Sequence, residues 1–470
     1  MSVVAASILV AFVFGGTAAH AATFTRGFVD DVWFDPPADG ISQQAWINRT
    51  KAAGAKLVQI EVDWPSIEPK APKRGASPTN PAAKQFVFTG LDRRVEEIVS
   101  NGLQPVFLVT EAPRWAEAKG GTAAEYASGS YKPDAIAYGQ LAEALAKRYS
   151  GTYPNPLKPH RRLPRVHYMQ AWGEANMNTH LSPQWTRIGG RAVNTGASIY
   201  RGLLNAFYAG VKAGDRSDLV LATGLEGYGD APFTGFERTH PVTFLQNVLC
   251  LTPELKRFKC ANPAHFDVLA ADPYDSFSPI THAVSDLDAS APDLGRLTRV
   301  VKAGLAAHTV FPRTHKPLWV TEFGYDSDPP NPTAGTISTA TQARWLEQGL
   351  YVFWHEGAST AMWYLVRDQT RPYDVNYFSG VFFRNGKPKP SYNAYRFPFV
   401  VMADGKTVQA WGIAPAAGTV SVQFGTGHGW RTIRTFHRGA GQVFDFTSPK
   451  LAPGHYRATV GSRSSLAWNY

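Results

Sequence analysis

The feature that most constrains this chain is an apolar strand followed by an amphipathic helix, repeated eight times between about residues 23 and 397. TFTRGFVDDVWF, AKLVQIEVDW, QPVFLVTEAP, RVHYMQAWGEAN, DLVLATGL, FDVLAADPY, KPLWVTEFGY and STAMWYLV read as strands. The segments between them carry helical spacing, as in Tyr138, Leu141, Leu145 and Tyr149. Strands buried on both faces and alternating with helices call for a parallel sheet, and eight of them close a (β/α)₈ barrel. An open, doubly wound sheet is the competitor, but no Gly-rich phosphate turn follows the first strand.

From about Phe399 the rhythm changes. TVQAWGIA, GTVSVQF, RTIRTFH, GQVFDF and HYRATVG are short alternating strands cut by Gly- and Pro-rich turns. The expected division is residues 1–22 as a leader, 23–397 as the barrel and 398–470 as a small β-sandwich serving as a cap or a glycan-binding module. The first 22 residues hold no charged side chain, and Ala19-His20-Ala21 suits signal cleavage. The expectation is export, with no stable membrane insertion once the leader is gone. Cys250 and Cys260, ten positions apart, then favour a local disulfide, with two buried thiols as the alternative. Residues 398–470 hold seven Lys/Arg against two Asp, half of the chain's net +10. That excess suits an anionic surface or a solvated face, and nothing resembles a nucleic-acid module.

Two strands end in glutamates. AWGEAN carries Glu174 after strand four, and LWVTEFGYD carries Glu322 after strand seven, 148 residues on. Only a closed strand-repeating fold brings both to one mouth. Glycoside hydrolysis requires such a pair, one carboxyl group to protonate the leaving oxygen and a second to attack carbon or activate water. No G-x-S-x-G elbow, P-loop, H-E-x-x-H or metal-spaced histidine cluster is present, so neither a cofactor nor a metal is expected. GLEGYG, Gly224 to Gly229, reads as a loop.

These motifs together resemble glycoside hydrolase clan A, nearest to family 39 and bacterial cellulase-like relatives. AWGEAN resembles the WNEPN element and WVTEFGY the TEFG element. VTEAPRWAE, FDVLAADPYD, MWYLV and GKPKPSYNAYR resemble further elements along the barrel. The resemblance implies a retaining mechanism on a carbohydrate substrate, Glu174 as acid/base and Glu322 as nucleophile, in a protein expected to be a monomer. It also implies that Tyr274 hydrogen-bonds the nucleophile, that Trp363 is a platform beneath the sugar, and that Trp115 walls the groove. Asn176 and Glu111 join the substrate-binding set. Asp30, Asp31, Glu226 and Asp368 are further strand-end carboxylates, while Glu61 and Asp63 suggest salt bridges inside the barrel.

Three positions depart from the family pattern. Gly173 replaces an asparagine that contacts the sugar, Gln59 an arginine that supports the nucleophile, and Asp272 a histidine. Loss of the arginine raises the pKa expected for Glu322. The alternatives are therefore a carbohydrate-binding protein without turnover, or a transglycosylase using the same glutamates.

Overall fold

The computed structural model describes residues 23–29, 40–121, 126–235, 237–274, 277–327, 336–369 and 377–470. The expected leader, Asp30 and Asp31 lie outside these residues.

Eight strands form one parallel sheet: β1 Thr25–Val29, β2 Leu57–Asp63, β3 Gln104–Thr110, β4 Tyr168–Ala171, β5 Leu219–Leu221, β6 Leu269–Ala271, β7 Leu318–Phe323 and β8 Ala358–Tyr364. The order runs β5-β4-β3-β2-β1-β8-β7-β6. Parallel bridges Leu221–Val268 and Glu226–Asp272 join its two ends and close the barrel. A helix follows each strand: α1 Gln43–Ala52, α2 Thr89–Ser100, α3 Ala135–Arg148, α4 Thr195–Gly214, α5 Pro241–Val248, α6 Gly295–Ala306, α7 Thr339–His355 and α8 Pro390–Arg396. Ser42, Asp134, Asn194 and Ser338 cap α1, α3, α4 and α7 by accepting from first-turn N–H groups. The fold is the (β/α)₈ barrel that the alternation dictates.

Side-chain phase inside the barrel decides which residues reach its mouth. Val29, Leu57, Val106, Tyr168, Leu221, Val268, Trp319 and Met362 pack together as one interior layer, drawn from around the whole barrel. Where a strand runs regularly, residues two positions further along point the same way, toward the C-terminal end, whereas β7 is irregular between Val320 and Phe323. On β2 these are Gln59 and then Glu61.

The C-terminal residues form a sandwich of two antiparallel sheets. One pairs β9 Phe399–Asp404, β10 Thr407–Ile413 and β13 Val443–Ser448. The other is built on β11 Gly418–Thr426, β12 Gly429–Arg438 and β14 His455–Val460. Buried Trp411 packs against Tyr351 and Trp354 of α7, and Tyr351 donates to Gln409 at 3.0 Å, so the sandwich is anchored to the barrel. Cys250 and Cys260 are joined in a disulfide that closes the loop after α5. No helix among the described residues is long and apolar enough to cross a membrane.

Sequence reading missed a hairpin after β4, Trp185–Ile188 paired with Arg191–Asn194. Gly189 and Gly190 turn it with φ of 59° and 78°, the double left-handed conformation of a two-residue hairpin turn. The Gly-Gly dipeptide was the available signal.

Candidate active site

At the end of β4 the backbone enters strained conformations. Trp172 and Glu174 have φ of 72° and 36°, left-handed values that cost on the order of 1–3 kcal/mol each in residues other than glycine. The surroundings hold them there. The indole of Trp172 is buried and donates to the His180 carbonyl, and the Ala175 N–H donates to Thr223 Oγ1, both at 3.0 Å. Glu174 Oε2 lies 3.6 Å from His180 Nε2. Burial lowers the His180 pKa, which favours the neutral imidazole.

Glu322 lies on β7. Its carboxylate accepts from the Tyr274 hydroxyl at 3.0 Å. Asp272, buried at the end of β6, accepts from Thr321 Oγ1 at 2.6 Å and from the backbone N–H of Glu322. Room for that carboxylate comes from Gly224, where a Cβ would sit 1.8 Å from Asp272 Oδ2. The loop glycines thus have a steric task that their spacing did not disclose. Glu226, which follows β5, completes the group, with Arg238 3.5 Å from its carboxylate.

These acids disturb one another. Burial raises the pKa of Glu174 well above the glutamate range, and the charges of Glu226, Asp272 and Glu322 raise it further while Arg238 opposes them. Burial followed by Asp272 raises Glu322, against the Tyr274 hydrogen bond. Asp272 is raised by burial and by Glu226. Burial pushes Glu226 up to about 7. The closed barrel therefore gathers Glu174, Glu226, Asp272, Tyr274 and Glu322 within electrostatic reach. A buried carboxylic acid beside a second carboxyl group can donate a proton while its neighbour, once ionised, attacks or abstracts.

Other expected site residues fall elsewhere. Trp363 is fully buried, donates to the Ser379 carbonyl at 2.8 Å, and packs on Phe323 and Tyr325. It faces the helices and cannot be a sugar platform. Tyr364 shares the phase of interior Met362 and acts electrostatically on Tyr274, so it is the β8 ring at the mouth. Asn176 is also corrected. Fully buried, it donates to the Glu226 and Thr239 carbonyls and accepts from the Glu226 N–H, each at 3.0 Å. It has no donor left for substrate, and it holds the loop that carries Glu226.

Gln59 is buried in the barrel interior, with neither amide atom hydrogen-bonded. It therefore supplies no cation to Glu322. Half-buried Trp115 donates to the Glu68 carbonyl at 3.0 Å and packs edge-on against Trp64. Glu111, with φ of 58°, is exposed just past β3, its pKa raised by burial of its carboxyl and by Asp63. Asp63 caps the turn Trp64–Ile67 rather than forming an interior salt bridge, and Glu61 is exposed. Asp368 is paired with buried Lys389 at 2.6 Å. Among the described residues, no three His, Cys, Asp or Glu side chains are grouped to hold a metal.

The fold and site define a (β/α)₈ barrel with an acidic C-terminal mouth and an appended sandwich. No protein-family model matches the chain, and no curated protein sequence matches it. Solved structures do. A family 39 glycoside hydrolase from the gut symbiont Bacteroides cellulosilyticus superposes with a TM-score of 0.51 at 15% identity, over 89% of this chain and 80% of that one. A glucosidase from Croceicoccus marinus gives 0.48 at 14% identity, over 91% and 93%. A family 39 β-xylosidase from Caulobacter crescentus gives 0.47 at 13%, over 86% and 84%. At these identities the likeness is one of fold.

Proposed function

We propose that the protein is a secreted, retaining glycoside hydrolase acting on O-glycosidic bonds of an oligo- or polysaccharide. Residues 23–397 would be the catalytic unit and 398–470 an appended module. The observation that carries this reading is that Glu174 and Glu322 stand at the ends of two barrel strands in one acidic mouth, where burial and then the charges of Glu226, Asp272 and Glu322 raise Glu174's proton affinity. In the proposed cycle Glu174 protonates the leaving oxygen while ionised Glu322 attacks the anomeric carbon and forms a glycosyl ester. Glu174, now a base, removes a proton from water, which releases the sugar with its configuration retained. Tyr274 donates to Glu322 and fixes its orientation. Export is consistent with the disulfide and the charge-free leader.

The test is release of reducing sugar by the mature protein from a broad glycan panel, with the anomer of the first product read by NMR. Activity with retention that disappears in both Glu174→Gln and Glu322→Gln supports the proposal. One observation favours the rival, a binding protein without turnover. Gln59 stands where the family pattern has an arginine, and its side-chain amide makes no hydrogen bond. Binding of a panel glycan with no turnover in the wild type would establish that reading.

A further inference from the structure

The sandwich turns a polar sheet face to solvent. In the register of β11 with its neighbours, Gln423 lies opposite Thr432 of β12 and Arg457 of β14, and Ser421 lies opposite Thr435 and Thr459. The alternate residues Val420, Val422, Ala458 and Val460 are buried in the sandwich core, so these two rows face outward. Trp430 ends the face. It is 37% exposed, lies over Gly425, and carries the Arg457 guanidinium 4.2 Å from its ring centroid. Arg457 is held from its other side by Gln423 at 2.8 Å.

Charge separates this face from an ordinary solvated surface, which mixes both signs. Residues 418–438 and 455–464 contain no Asp or Glu, and Arg457 is the cation of the two outward rows, whereas Arg434 and Arg438 share the inward phase of Val422 and Gly418 and reach the Phe446 ring and the Val443 carbonyl of the other sheet. The acids of residues 398–470 are Asp404 and Asp445, which lie on β9 and β13 of the other sheet.

We propose that this face binds an acidic polysaccharide, a chain of sugars bearing carboxylates. Hydroxyls and an amide in rows match sugar hydroxyls, and the indole offers a flat apolar surface to a sugar ring. The guanidinium beside it pairs with a carboxylate in a field free of competing acids. No apolar side chain projects from the two rows to enter a bilayer. The assignment rests on the sheet alone and does not depend on the catalytic reading.

The test uses the full chain and polygalacturonate, with dextran as the neutral control and single-stranded DNA as the non-sugar polyanion. Affinity is measured at low and high salt for wild type, Trp430→Ala and Arg457→Ser, with thermal midpoints as the folding control. The expected result is salt-sensitive binding to polygalacturonate at least about tenfold tighter than to dextran or DNA, reduced about tenfold or more in each variant. Unchanged midpoints in both variants keep the loss local to the sheet face. Binding that survives both sheet variants, equal binding of dextran, preference for DNA, or no binding would each overturn the proposal.

Discussion

Replacing Gly224 by alanine tests how tightly the acidic mouth is built. The new Cβ would stand 1.8 Å from Asp272 Oδ2 and 2.3 Å from its Cγ. Ordinary contact begins near 3.4 Å, so the carboxyl group must retreat by about 1.6 Å. The backbone offers little relief, because the Asp272 N–H donates to Leu225 at 2.9 Å and the Glu226–Asp272 bridge closes the barrel there. Rotation of the side chain gives up the 2.6 Å bond from Thr321 and the bond from the Glu322 N–H. Leaving a buried donor unsatisfied costs about 1–3 kcal/mol, and forced overpacking about 1–3 kcal/mol. The expected destabilisation is therefore about 3–5 kcal/mol, read from urea unfolding with the slope held constant. Gly173→Ala is the control. The atoms nearest its Cβ would be those of Leu108 and Thr110, at 3.7–3.9 Å, and stability should stay within about 0.5 kcal/mol. A Gly224→Ala protein as stable as wild type would show that Asp272 is not confined and would refute this account of the site.

Three more outcomes follow from the same geometry. Asp272→Asn removes a negative neighbour that raises Glu322, so Glu322 ionises at lower pH and the acidic limb of kcat/KM moves toward acid; an unmoved limb rejects the coupling. Asp92 is buried and accepts from Arg148 and, at 2.9 Å, from the Tyr149 hydroxyl, so Asp92→Ala leaves an uncompensated guanidinium and should cost about 3–5 kcal/mol in urea unfolding. Replacing both Cys250 and Cys260 by serine opens a loop of ten-residue separation, with a loss of about 2–3 kcal/mol by chain entropy; no change would mean that the loop is equally ordered without the bond.

What the sequence made legible divides by physical cause. Period and punctuation exposed the eight strand–helix units, because each strand is buried on both faces and each helix carries a stripe. The two strand-end glutamates and Tyr274 were legible because their motifs fix position along the strand. Phase around the strand was not. In STAMWYLV both alternate sets are apolar, so nothing distinguishes Met362 and Tyr364, which face inward, from Trp363, which faces the helices. The register of β7 with β8 also shifts between Val320 and Phe323, so counting from β7 does not transfer the phase. Asn176 failed for another reason. A polar residue two positions after the glutamate looks like a ligand in sequence, whereas its amide is consumed by the loop backbone. The steric need for Gly224 depends on a contact 48 residues away, beyond any local pattern.

The departures at Gln59 and Asp272 act in one direction. A cation that would hold Glu322 ionised is absent, and an acid stands beside it. Burial raises Glu174, Glu226, Asp272 and Glu322, and Arg238 opposes it at Glu174 and Glu226, so the group holds protons at neutral pH. On the proposed mechanism, Glu322 becomes an active nucleophile as pH rises, and the ionised cluster then favours a transition state with developing positive charge on the sugar. Stability should move the other way. Burial raises Glu68 and Glu226 to about 7 and Glu347 to about 8. Acids raised in the folded state stabilise it fully below their ordinary value near 4.5, and that contribution is lost as pH climbs through about 7–8. Activity and thermal midpoint measured across the same pH range should therefore run in opposite directions, and Glu322→Gln should flatten the fall in midpoint. If both quantities peak together at mildly acidic pH, the cluster does not hold its protons as argued, and another group must support Glu322.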